Sequence, residues 1–235
     1  MTSGSNVVAL PLRCANCFAR DNAICAGFAD HEIAALNAIG RKRTVVPGQV
    51  VIWAGDANVV CANIVSGVLK VVRAGTDGRE QIVGLLFPGD FVGQLFTDVS
   101  DESVVALGEA ELCVYPREAF ERVAADHQTV ETVLLRRALA ALAEARGWML
   151  TLARKEAGEK VAALLLDMMR RMGANDCDAF DLPLGRGQMA DVLGLRIETV
   201  SRQMTALQRA GVIGLPGGRR VTIVDRERLK AMALN

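Results

Sequence analysis

Three cysteines crowd the start of the chain. Cys14 and Cys17 form a C-x2-C pair, and Cys25 follows after seven intervening residues in CANCFARDNAIC. Three thiolates on one loop can wrap a metal centre, with a fourth ligand supplied from elsewhere. A tetrahedral zinc would accept such a set, and so would an iron–sulfur cluster. The spacing alone does not separate them. Cys61 and Cys113 fall on expected strands, where a free cysteine more often packs as a small apolar residue than as a ligand. Cys177 lies between Asp176 and Asp178, whose charges oppose thiolate formation.

A second constellation lies near the C-terminus. Gln188–Leu193 reads as a short helix, Gly194 as a left-handed turn residue and Ile197–Ala210 as a second helix, ended by Gly211. Ala190 lets the two helices approach, and Val200 supplies an apolar contact between them. Glu198, Ser201 and Arg202 are spaced i, i+3, i+4, which puts them on one face of the second helix near its start. That part of a recognition helix reaches base edges in the major groove. Arg202 suits guanine, Glu198 a cytosine amino group, and Ser201 a base or a phosphate. Arg219 and Arg220, beside Pro216-Gly217-Gly218, would meet phosphates as a wing. A solvated amphipathic helix exposes charges too, but the helix–turn–helix spacing together with the wing favours DNA.

The elements that must hold these groups follow from length and pattern. The chain has 235 residues with 51% hydrophobic and 23% charged side chains, enough for one large domain or two ordinary ones. Lys+Arg and Asp+Glu are both 27, which argues against a wholly nucleic-acid-coating protein. Residues 180–235 nevertheless carry nine basic and five acidic side chains, so a basic end follows an acidic body. No apolar run approaches the ~20 residues of a membrane span, and the first residues lack a signal-peptide pattern. The expectation is a cytoplasmic protein with no membrane partner and reduced thiols.

Residues 1–13 read as a loose arm, and Asp30 as the N-cap of a short helix to about Ile39. Short β-rich runs follow at 50–53, 62–65, 68–73, 81–87, 104–106 and 112–115, separated by turn signals, with Asp77-Gly78 as a hairpin turn. This is a sandwich, roll or barrel. From Arg117 to about Met172 the period becomes helical. Leu135, Leu142 and Met149 fall seven apart, with Leu139 and Leu152 near the alternate positions. Such a seam suits helix pairing, and packing on the chain's own β region explains it equally well. The last segment reads helix, turn, helix, β-hairpin, then a helix opened by Asp225.

This order of elements, with E-T-V-S-R at Glu198–Arg202, resembles the FNR branch of the CRP/FNR transcription regulators from about Cys14 onward. The long gap before Cys25 is similar to that of FnrL-type members. The resemblance implies an α+β fold: an N-terminal β-roll of the cyclic-nucleotide-binding jelly-roll kind, a long dimerisation helix and a C-terminal winged helix-turn-helix. The implied division is an arm with the cysteine loop (1–27), a sensor domain (28–120), the dimerisation helix (121–157) and the DNA-binding domain (158–235). It further implies an oxygen-labile [4Fe–4S] cluster on Cys14, Cys17, Cys25 and Cys113, and a homodimer joined through Leu135, Leu142, Met149 and Leu152. The implied partners are RNA polymerase and double-stranded palindromic DNA of the TTGAT type, and the implied role is control of anaerobic or microaerobic genes. Cys61 and Cys177 match no family ligand and are read as structural.

Cyclic-AMP binders of the family use a Glu for the ribose and an Arg-Ser pair for the phosphate. Here Gln94 and Glu102-Ser103 stand near those positions, so cyclic nucleotide is disfavoured. A regulator whose cysteines bind zinc or sense oxidation directly is the runner-up. A dithiol redox or metal-trafficking protein is the reading from another class, and it lacks the βαβ context of a thioredoxin motif. His31 and His127 have no nucleophile motif around them and read as surface or packing residues. No enzyme is expected.

Overall fold

The structure is a computed structural model that describes residues 10–75, 78, 80–172 and 179–234. The arm up to residue 9, Asp77 of the expected hairpin turn, and the 175–178 loop with Cys177 lie outside the described residues. The chain divides into two compact units. The first ends at Ala140 and the second begins at Ala141, except that Ala74–Val83 groups with the second.

In the first unit, helix α1 (Leu12–Ala15) and a 3-10 turn at Ile24–Gly27 bracket the cysteine segment. Helix α2 (Asp30–Ile39) follows. Asp30 is not its N-cap. The helix starts one residue earlier, because the Glu32 carboxylate reaches back and accepts the Ala29 N–H at 2.8 Å. A glutamate at the third helical position can cap the backbone even where the cap residue has no acceptor of its own.

The strands are β1 (Arg41–Val45), β2 (Val50–Ile52), β3 (Val60–Ser66), β4 (Leu69–Ala74), β5 (Glu80–Leu86), β6 (Phe91–Val92), β7 (Ser103–Ala106) and β8 (Ala110–Pro116). They form two four-stranded sheets, ordered β1-β8-β3-β6 and β2-β7-β4-β5. Sequence pattern misses β1 and β6. RKRTV has no apolar alternation because β1 is an edge strand and only Val45 turns into the core. The core between the sheets includes Val45, Ile64, Leu69, Val92 and Leu112, none more than 0% exposed.

Strand alternation then decides what lies on the other side of the first sheet. Ala62 and Ile64 of β3 and Leu112 of β8 point into the core, so Cys61, Asn63, Cys113 and Tyr115 point out. There Cys61 and Tyr115 pack with Ile24, Phe28, Ile33 and Leu36 from the cysteine segment and α2, and with Phe120. Register places Lys42, Cys113 and Asn63 side by side on β1, β8 and β3. A one-residue slip would bury Cys113 in the sandwich instead.

The helical stretch after Pro116 is three helices: α3 (Arg117–Asp126), α4 (Gln128–Arg154) and α5 (Ala157–Arg171). It breaks at His127, whose backbone is extended (φ −134°, ψ 98°), and again before Ala157, where Glu159 accepts the Glu156 N–H at 2.7 Å. Helix α4 is 27 residues long and buries only Val130.

The second unit is a helix-turn-helix with a three-stranded sheet. Helix α6 (Arg186–Leu193) starts two residues earlier than the pattern suggests, because Gln188 accepts the Gly185 N–H at 2.8 Å. Gly194 takes the left-handed conformation (φ 61°, ψ 37°), and α7 (Ile197–Arg209) follows. Strands β9 (Ala179–Asp181), β10 (Ile213–Gly217) and β11 (Arg220–Ile223) pair in the order β10-β11-β9. β9 is too short for its alternation to be read from sequence. Asp225 accepts the Arg228 N–H at 2.9 Å and opens α8 (Arg226–Leu234). Among the described residues no helix is long and apolar enough to cross a membrane.

Candidate functional site

The cysteine segment is tied down by arginines. Arg13 donates to the carbonyls of Asn37 at 2.8 Å and Gly40 at 3.0 Å, fixing α1 against the end of α2. Arg137 of α4 donates to the carbonyls of Asn22 and Ala23, the latter at 3.0 Å. The chain after Cys25 passes so close to α4 that a Cβ on Gly27 would collide with Val133.

Within this frame, Cys14, Cys17, Cys25 and Cys113 line one cavity of about 40 Å³, together with Arg13, Arg20, Lys42, Asn63 and Tyr115. The thiols sense one another. Burial pushes the Cys25 thiol up to about 12, and the nearby thiols of Cys113, Cys14 and Cys17 push the same way. The Cys14 thiol is also raised, chiefly by burial, with Arg13 opposing the shift. Tyr115 is shifted upward by burial and by Cys113 and Cys25. The Cys14 and Cys25 thiols therefore favour the protonated form, and any metal they hold must displace those protons.

The donor set is chemically selective. Four soft sulfurs surround the cavity, and Arg13, Arg20 and Lys42 offset the charge that bound thiolates would carry. Asn63 donates to Tyr115 Oη at 3.4 Å and to Cys25 Sγ at 3.8 Å, while its own Oδ1 is buried without a partner. Asn63, Tyr115, Arg13 and Lys42 escape the reading of motifs. Asn63 left one signal, a single amide inside the apolar strand VCANIVS. Cys61 is outside the cavity lining and is 1% exposed. Burial, and secondarily Glu121, raises its thiol to about 12.

Near the expected nucleotide-phosphate position, Gln94 donates to Asp101 at 2.6 Å, and Arg73 already pairs with Asp101. Burial, with Asp101 nearby, holds the Glu102 carboxyl above its usual range.

In the second unit, Val200, Met204 and Leu207 of α7 are buried, and Glu198, Ser201 and Arg202 are exposed together on the opposite side. Arg196 is exposed just ahead of them. Arg219 lies in the turn itself and donates to the Pro183 carbonyl at 3.1 Å. Arg220 opens β11 and pairs with Asp181 at 3.8 Å. On α4, Leu135 and Met149 are 61% and 69% exposed, and Leu142 and Leu152 are exposed as well.

Residues 42–127 match the cyclic nucleotide-binding domain, and residues 159–232 match the Crp-like helix-turn-helix domain. The transcriptional activator protein FnrL of Cereibacter sphaeroides is 43% identical over 92% of this chain and 90% of its own length. The chain belongs to the CRP/FNR family. The nitrogen fixation regulation protein FixK of Bradyrhizobium diazoefficiens is 33% identical over 94% of the chain and 93% of its own. The structure of FixK2 from Bradyrhizobium japonicum superposes with a TM-score of 0.77 at 27% identity, covering 83% of this chain and 97% of that one. This CRP/FNR chain is a DNA-binding transcription regulator of the activator type, not an enzyme. Family membership also removes the dithiol redox reading.

Proposed function

We propose that this regulator is an oxygen-responsive homodimer whose DNA binding depends on a [4Fe–4S] cluster held by Cys14, Cys17, Cys25 and Cys113. The observation that carries the proposal is the convergence of these four thiols, from two distant parts of the sequence, on one cavity edged with cations. The donor chemistry fits: an all-cysteine set is what such clusters take. Similarity to FnrL and to the anaerobic regulatory protein of Haemophilus influenzae, 31% identical over 80% of this chain, supports the same reading. When bound, the cluster supplies an oxygen-labile cross-link between the segment and β8.

The chain's own residues do the rest. Arg137 links the backbone beside Cys25 to α4, so order in the cysteine segment is felt by the helix. Two copies of α4 cover Leu135, Leu142, Met149 and Leu152 on each other, which removes exposed apolar surface from water. The dimer then presents two α7 helices to successive major grooves of a palindromic TTGAT-type site. Glu198, Ser201 and Arg202 read bases, and Arg219 and Arg220 contact phosphate. In this scheme RNA polymerase is the protein partner and cyclic nucleotide is not a ligand, since Glu102-Ser103 stands near where an Arg-Ser pair would hold its phosphate. The division into arm, sensor, dimerisation helix and DNA-binding domain is carried in the same proposal, as is action in the cytoplasm.

Anaerobic purification with iron, sulfide and absorption analysis tests the proposal. A fourfold iron and sulfide content, bleaching in air and loss of specific DNA binding on bleaching are expected. Zinc in place of iron and sulfide would replace the cluster by the runner-up.

A further inference from the structure

Both histidines of the chain meet at one place. His31 in the first turn of α2 and His127 at the junction of α3 and α4 stack at a tilt, with ring centroids 5.6 Å apart. Glu32 lies beside them and is 4% exposed. One of its carboxylate oxygens caps α2 by accepting the Ala29 N–H. The other faces Nδ1 of His127 at 3.6 Å, beyond hydrogen-bond range. One ligand atom from each of the three residues lies within 4.8 Å of the others.

Burying a carboxylate is costly unless a cation or donors compensate it. The cap satisfies one oxygen, and the second faces the His127 ring, against which His31 stacks. We propose that His31, Glu32 and His127 form a second metal site, for a divalent first-row ion, separate from the cysteine cavity. Two imidazoles and a carboxylate are the donors that zinc, iron(II) and cobalt(II) accept, and soft thiolate chemistry is not involved. Ligand bonds of about 2.0–2.2 Å draw the three groups closer than they stand here, and the exposed side of His31 leaves room for water as a further ligand. The site joins the start of α2 to the start of α4. A bound ion therefore pins the helix that follows the cysteine segment to the one that carries the proposed dimer seam.

Cobalt(II) titration of the anaerobic full-length protein is the test, because cobalt reports its ligands. Binding at the three-residue site gives weak visible bands, whereas binding at thiolates adds intense near-ultraviolet charge transfer. The expected result is one cobalt equivalent, without charge transfer, that is lost or weakened by at least about 10–100-fold in His31→Gln and Glu32→Gln. Glu32→Gln keeps the acceptor that caps α2, and His31 is exposed, so both variants should fold. Their thermal midpoints without added metal should match the parent, and only the parent should gain stability on adding zinc. If both variants bound as much cobalt as the parent with equal affinity and the same spectrum, the site would be refuted. That outcome would leave the cysteine site untouched, because its charge-transfer bands and iron content are read independently.

Discussion

Helix α7 stands on a packed base: Val200, Met204 and Leu207 are buried, and Glu198, Ser201 and Arg202 project from the other side. The cysteine segment has no comparable base. Its helix α1 buries none of its own residues, and Cys14, Cys17 and Cys25 all stay partly exposed. The segment is held instead by Ala19, Ala23 and Ile24 and by hydrogen bonds from Arg13 and Arg137 to its own and α2's backbone. Apolar packing needs no ligand, so the reading helix has what it needs to hold its shape without one. A segment held by a few small buried side chains and polar bonds opens at lower cost than a packed helix unless a metal centre cross-links it. That difference suits one region to reading and the other to sensing.

The largest expected effect breaks this contrast directly. Cys113→Ser should abolish iron and sulfide incorporation and anaerobic DNA binding together, while Cys61→Ser leaves both nearly intact. Hydrogen exchange should then rise across residues 12–27 and stay unchanged across α6 and α7. A Cys113→Ser protein with a full complement of iron and sulfide would sink the ligand assignment.

The next effect lies between the two regions. Leu142→Glu places a charge in the proposed α4 seam and should give a folded monomer that binds a palindrome poorly. Circular dichroism checks the fold and sedimentation the mass. An unchanged dimer would remove this seam from the interface.

A smaller effect sharpens the reading side. Arg202→Ala should cost roughly 1–3 kcal/mol and relax discrimination at one base pair of each half-site. Arg219→Ala should weaken specific and random DNA alike, and by less, since Arg219 is already engaged by the Pro183 carbonyl. Competition binding against single-base variants distinguishes the two. Equal losses on specific and random DNA for Arg202→Ala would defeat its role in base readout.

The same contrast explains what the sequence could disclose. The helix-turn-helix is legible because its determinants are local: Ala190, Gly194 and Val200 lie within eleven residues and each has one geometric duty. The cysteine triplet is legible for the same reason. Cys113, by contrast, joins the others only through the register of β8 against β1 and β3, a long-range property that single-strand patterns do not carry. Edge strand β1 and the three-residue β9 are hidden because neither has a buried face long enough to show period two. The His31–Glu32–His127 group is hidden because its members come together only where α2 meets the α3–α4 break.

Cys61 gives the smallest test and isolates packing from ligation. It lies on the same face of the sheet as Cys113, yet it is 1% exposed and outside the cavity lining. Burial lifts its thiol from 9.0 to about 12, so the folded protein favours the neutral form. An unfolded chain releases that proton at lower pH than the folded one does. The resulting stability is fully present below pH 9.0 and is lost as pH rises toward about 12. Cys61→Ala should cost about 1 kcal/mol at neutral pH through the small cavity it leaves. It should also flatten the alkaline fall, so that parent and variant converge as pH rises. Cys25 contributes its own alkaline fall to both proteins and cancels in the difference. Urea unfolding of the metal-free, reduced proteins checks this, and parallel curves with a constant gap would show that the Cys61 thiol is not held neutral by burial.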